Sequence, residues 1–185
     1  SHQGSVAWID RAVTLVRTSF ESVCLRGDTD FALTTQFDRW TADGVRFAFG
    51  MDAMQNLVKR AESLDTGCWR VLRRREKRAV STTKRKRPAN IKEQIVVERE
   101  YRNIKLEQEH VAEFSYQPSR CKGSYRVIVL RKTLSVEKGQ LLLWKDIRYF
   151  FYITNIPELS PAEVVYFCND RCNQENLIEQ LKNGL

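Results

Sequence analysis

Apolar residues recur at three- and four-residue spacings from Ser5 to Phe20 (Val6, Ile9, Val13, Val16, Phe20), with Asp10, Arg11 and Arg17 between them, which predicts an amphipathic helix. Ser22-Val23-Cys24-Leu25-Arg26 is a short β-prone run that stops at Gly27-Asp28, as a buried strand ending in a polar loop would. A second helix is expected from Thr29 or Asp30 as cap through Trp40, with Phe31, Leu33, Phe37 and Trp40 apolar and Asp43-Gly44 closing it. Val45 to Phe49, ended by Gly50, reads as a second strand. Strand, helix, strand at this pitch is a βαβ-type unit and implies an α/β layer with parallel strands. Asp52 to Ser63, with Met54, Leu57, Val58 and Ala61 apolar, predicts one more helix.

From Trp69 to about Asn155 the texture becomes strand-like: 95–97, 111–116, 125–130 and 147–154 are rich in β-branched and aromatic residues. Turn signals fall near Arg87-Pro88, Gln117-Pro118, Lys122-Gly123 and Lys138-Gly139. Helix returns at Ser160-Pro161-Ala162-Glu163, an N-cap serine with proline at N1 and glutamate at N3. It runs toward Lys182, with a break near Asn169-Asp170. The expected organisation is therefore an α/β core, 1–50 and 159–185, interrupted by a mainly β insertion, 51–158.

A length of 185 residues and a hydrophobic fraction of 42% suit one domain carrying a large insertion. The net charge of +8 has a definite address: ten Lys or Arg lie between Arg70 and Arg87 against Glu76 alone, so the remainder is close to neutral. A phosphate backbone, contacted without regard to sequence, is the partner such a tract implies. A nuclear-localisation signal at Lys84-Arg85-Lys86-Arg87 and a solvated loop are the alternatives. No apolar run is long enough to cross a bilayer and no signal peptide is evident, so a cytoplasmic protein with no membrane partner is expected. Five cysteines without a CxxC pair, and only two histidines, point to free thiols rather than a zinc site.

Two places can carry chemistry. Asp28 follows the C-terminal end of a buried strand, where open α/β sheets present functional groups, and Asp30 lies two residues on, where helix capping also suits it. Near the C-terminus, Arg171 stands four residues before Glu175 and Lys182 seven after it, offsets that share one helix face. Solvated ion pairs are the bland reading of that face. One Asp from a strand end and one Glu from a later helix can jointly hold divalent cations while leaving room for water and phosphate oxygens. The aromatic run Tyr149-Phe150-Phe151-Tyr152 suits core packing better than base stacking.

Together the segment Leu25-Arg26-Gly27-Asp28-Thr29-Asp30-Phe31, the run Tyr149 to Asn155 and the Arg171/Glu175/Lys182 spacing resemble the DDE transposases of bacterial insertion sequences. The resemblance implies an RNase H-like core with a β-rich insertion. It implies cleavage of transposon ends and transfer of a 3′-hydroxyl to target DNA, with Mg²⁺, or Mn²⁺ in its place, as cofactor. By position Asp28 becomes the second acidic residue of the triad and Glu175 the third. Arg171 and Lys182 become DNA-phosphate contacts, and Arg73, Arg74, Arg75, Lys84, Arg85, Lys86 and Arg87 grip DNA from the insertion. Cys168 stands where relatives carry a tyrosine. The family's first aspartate precedes the first helix of the fold, so an internal piece of a longer transposase, inactive alone, is expected. Self-association in a DNA complex at the bacterial nucleoid is implied as well. The rival readings are a DNA-binding remnant without catalysis and an α/β protein whose tract binds RNA.

Overall fold

The structure is a computed structural model that describes residues 4–73, 103–138 and 141–170. In chain order its elements are α1 (Ser5–Arg17), β1 (Cys24–Gly27), α2 (Phe37–Ala42), β2 (Arg46–Met51), α3 (Gln55–Glu62), β3 (Arg70–Val71), β4 (Asn103–Tyr116), β5 (Tyr125–Lys138), β6 (Leu141–Thr154) and α4 (Pro161–Asn169). The strands form one six-stranded mixed sheet in the order β1-β2-β6-β5-β4-β3. β1 and β2 are parallel, in register from Cys24 opposite Arg46 to Gly27 opposite Phe49. The other neighbours are antiparallel, and β6 joins β2 by pairing Ala48 with Thr154 and Met51 with Phe151. The α/β class and the parallel βαβ unit expected from the sequence are both present.

Helices cover both faces of the centre of this sheet. In β2 the alternation is sharp: Phe47, Phe49 and Met51 enter one core with Phe37, Trp40, Leu57 and Ala61, while Ala48 faces a second core with Val164 and Val165 of α4. β5 is buried on both faces, Val127 and Val129 in the first core, Ile128 and Leu130 in the second. That is why Val127 to Leu130 reads as a continuous apolar run rather than an alternating one. Beyond this centre the antiparallel strands run on, and Leu106, Trp144, Ile147 and Phe150 are exposed.

Three local expectations change. The helix predicted from Asp30 to Trp40 is replaced by two 3₁₀ turns, Thr29–Phe31 and Thr34–Gln36, ahead of a short α2. Between them Leu33 N–H donates to Phe31 O at 2.7 Å and Thr34 N–H to Ala32 O at 2.9 Å, two γ-turns that re-aim the chain. Phe31 thereby stays over Gly27 while Phe37 and Trp40 enter the core. Secondly, β4, β5 and β6 are each 14 residues long, well beyond the short runs read from the sequence. Thirdly, the aromatic run divides, Phe151 and Tyr152 being buried and Phe150 exposed with Lys132 Nζ 4.8 Å from its ring centroid. The strand expected at 95–97 and the helical extension past Asp170 lie outside the described residues. The capping box of α4 forms as expected, Glu163 N–H donating to Ser160 Oγ and Ser160 N–H to the Glu163 carboxylate.

Asp38 of α2 fastens the turn before β5 to the helical layer. Its carboxylate accepts from Lys122 N–H at 2.6 Å, Gly123 N–H at 3.1 Å and Tyr125 Oη at 2.7 Å. The Lys122 backbone donor first, then the Tyr125 hydroxyl, hold its carboxyl below the usual range. A depressed folded pKa contributes stability above the unfolded value of about 4 and loses it as pH falls through the folded value. Urea midpoints measured from pH 5 down to pH 2 should therefore fall less steeply in Asp38→Ala than in the wild type. Parallel curves would show that Asp38 carries none of the acid sensitivity.

Candidate active site

The parallel pair β1 and β2 ends at a cleft. Its volume is about 490 Å³, and it is lined by Gly27, Asp28 and Thr29 after β1 and by Gly50, Met51, Asp52 and Ala53 at the end of β2. Tyr149 to Tyr152 of β6 and Cys168 and Asn169 of α4 complete it. The C-terminal ends of parallel strands present backbone and loop groups that the sheet itself does not use, which is why ligand sites collect there.

Two glycines make the geometry of the β1 end possible. A Cβ at Gly27 would stand 2.7 Å from Phe31 Cβ, and one at Gly50 would stand 3.3 Å from Thr29 N. Without side chains at these positions the 28–31 turn folds back against β2 and lays Asp28 along the cleft. Asp28 is half-buried there, whereas Asp30 is exposed and does not line it.

The cleft also holds groups that the sequence reading passed over. Asp52 follows β2 as Asp28 follows β1, so the strand-end rule that singled out Asp28 could have found it. Asn169 enters through α4, its Oδ1 accepting from Tyr152 Oη at 3.2 Å. Cys168 is pushed up to about 12, first by burial and then by nearby Cys24, with Arg26 opposing. Burial thus disfavours the thiolate, which is the reactive and metal-binding form. His110, the one histidine among the described residues, does not line the cleft, and burial with Arg131 alongside lowers its pKa.

Carboxylate and amide oxygens without thiolate or imidazole are the donors that hard cations such as Mg²⁺ and Mn²⁺ accept, so the residues fit a divalent ion of that class. Among the described residues no three His, Cys, Asp or Glu side chains converge on one point. Glu175, Arg171 and Lys182 lie outside the described residues, as do Arg74, Arg75, Lys84, Arg85, Lys86 and Arg87.

Arg73 is described and exposed, and its carbonyl accepts from Tyr166 Oη of α4. Leu72 N–H donates to Glu109 O at 2.8 Å, so the root of the basic tract is tied both to β4 and to the last turn of α4. The same turn supplies Cys168 and Asn169 to the cleft. Asp28 and the start of the tract therefore border one helix end. No helix among the described residues is long and apolar enough to cross a membrane.

No curated protein and no solved structure matches the chain. A family model does: the one for the transposase DDE domain, group 1, matches residues 1–185. The chain belongs to this family of DDE transposase domains.

Proposed function

We propose that this chain supplies catalytic carboxylates for metal-dependent DNA strand cleavage and strand transfer at transposon ends, with Asp28 and Glu175 in those roles. The observation that carries the reading is the shared cleft: Asp28 at the end of β1 faces the last turn of α4, from which the chain continues to Arg171 and Glu175. Six peptide units separate Asn169 from Glu175 in the sequence, a contour length of about 20 Å at most.

The supporting frame is an RNase H-like core. β1 and β2 are its parallel strands, residues 51–158 are an insertion grown from the end of β2, and 159–185 are the Glu-bearing return. β1 is the edge of the sheet among the described residues. A strand added alongside it, and parallel to it, would end beside Asp28. A third carboxylate, which the family resemblance implies, is accommodated there.

Mg²⁺ or Mn²⁺, when bound, supplies activation of the attacking oxygen and stabilisation of the leaving oxygen in an in-line displacement. The chain's own residues do the rest. Asp28 and Glu175 hold the charge-bearing end of the cleft, and Arg171 and Lys182 seat the cleaved strand through its phosphates. The tract from Arg73, Arg74 and Arg75 to Lys84, Arg85, Lys86 and Arg87 holds flanking DNA by charge, without base readout. Transposon-end and target DNA are the substrates, self-association assembles them, and the bacterial nucleoid is the setting.

The test is Glu175→Gln in a transposase carrying all three carboxylates, assayed on end-labelled transposon-end DNA. Cleavage should fall by about 10³-fold, a loss of about 4 kcal/mol of transition-state stabilisation. Unchanged Mg²⁺-dependent cleavage would sink the assignment and leave the DNA-binding remnant as the better account.

A further inference from the structure

We propose that Phe150, backed by Lys132, is a stacking subsite for one unpaired nucleobase of a DNA strand at the rim of the cleft. The inference rests on the reading of the cleft as a DNA site, and on no residue after Asp170. Of the aromatic run Tyr149 to Tyr152, Phe150 is the one left exposed, at 41%. β2 ends at Met51, opposite Phe151, so Phe150 is the first residue of β6 beyond the end of β2. It lines the cleft together with Asp28 and Asp52.

The sheet explains why this ring is open. Alternation along β6 puts Phe150 on the same face as Tyr152, which packs in the core with Val164 and Val165 of α4. Tyr152 Oη donates to Oδ1 of Asn169, the last residue of α4, and Phe150 stands one step farther along that face. Lys132 Nζ lies 4.8 Å from the Phe150 ring centroid, and Glu109, with 5% of its side chain exposed, holds that ammonium at 3.5 Å. A buried carboxylate thus fixes the cation, and the cation orients the ring.

The surroundings select the ligand. Lys132, Lys145 and Arg148 are each paired with a carboxylate, Glu109, Glu107 and Asp146 respectively, so the charge around the ring is balanced. What remains to be recognised is a π-face. Every base carries one, and stacking on an aromatic side chain tolerates any sequence. A base inside a duplex has no free face, so the subsite takes an unpaired one. A single ring bordered by ion pairs is too small an apolar surface for a protein partner, whereas it matches one base. Affinity from Phe150 should therefore be nearly independent of salt, unlike affinity from the basic tract.

The measurement is the affinity of the 185-residue chain for two fluorescein-labelled single-stranded oligodeoxynucleotides of equal length, one with all its bases and one abasic throughout, by anisotropy over a salt series. The wild type should bind the base-bearing strand about tenfold more tightly than the abasic one. Phe150→Ala should lose most of that preference while keeping its affinity for the abasic strand and its salt slope. Phe150→Trp should retain the preference and Phe150→Leu should not. If Phe150→Ala does not fold, the Trp and Leu variants carry the comparison.

A preference absent from the wild type, or unchanged in every folded Phe150 variant, overturns the subsite and leaves the DNA reading of the cleft intact. An equal loss on both strands overturns it as well, because the ring would then act through something other than a base. Failure of the wild type to bind either strand overturns the DNA reading and this inference with it.

Discussion

Asp28→Asn should reduce metal-dependent strand cleavage by about 10³-fold or more in a transposase with its full carboxylate set, and Asp30→Asn by less than about threefold. The two residues are two positions apart and chemically identical, so the contrast isolates position. Asp28 lies along the cleft at the end of β1, while Asp30 sits on the outer side of the 3₁₀ turn that follows. Asparagine keeps the size of the side chain and removes only its charge. The loss should therefore appear in cleavage, with the thermal midpoint shifted by no more than a few degrees. Gel assays at saturating Mg²⁺ would measure it. Equal losses in the two variants would mean that the turn, rather than the cleft, is what matters.

Phe37→Ala should cost about 3–5 kcal/mol, the range for deleting a fully enclosed aromatic ring. Phe37 has no solvent exposure. Its ring stacks on Phe47 at 4.4 Å between centroids and on Phe49 at 6.0 Å, meets Tyr125 edge-on at 5.5 Å and tilts against Trp40 at 6.2 Å. These partners come from α2, β2 and β5, so the ring joins the helical layer to both the parallel and the antiparallel parts of the sheet. At this chain length the cost corresponds to a drop of roughly 10 °C in the unfolding midpoint. Calorimetry on Phe37→Ala and Phe37→Leu would check it, the leucine variant losing less because it refills part of the space. A drop below about 1 kcal/mol would mean that the neighbouring rings close over the cavity.

The elements legible in the sequence are those marked by local apolar spacing or a capping box. α1, β1, β2, α3 and α4 fall close to where the apolar spacing and the Ser160 capping box put them. Interaction across the sheet set the rest. The outer halves of β4 and β6 mix Lys, Glu, Asp and Arg with apolar residues, and only pairing with β5 from Glu137 to Tyr125 and from Lys138 to Arg126 fixes them as strand. The 3₁₀ turns after Asp28 depend on Phe31 packing over Gly27, a contact with no local signature. For the same reason spacing alone left Asp28 and Asp30 undivided. Arg26 did leave a trace, a cation inside a short β-prone run, although its distant partner Phe167 is visible only in the fold.

The long antiparallel strands carry a consequence for how this protein can vary. Side chains alternate between the two faces of a strand, so parity couples the exposed far end of the β5–β6 hairpin to the core. Excising two residues from each strand shortens the projection and leaves every remaining side chain on its own face. Excising one from each exchanges the faces of everything beyond the cut, moving residues such as Trp144 and Ile147 to opposite sides. The reach of the projection can therefore drift in even steps with the cleft at β1 and β2 undisturbed, whereas an odd step turns the distal surface over.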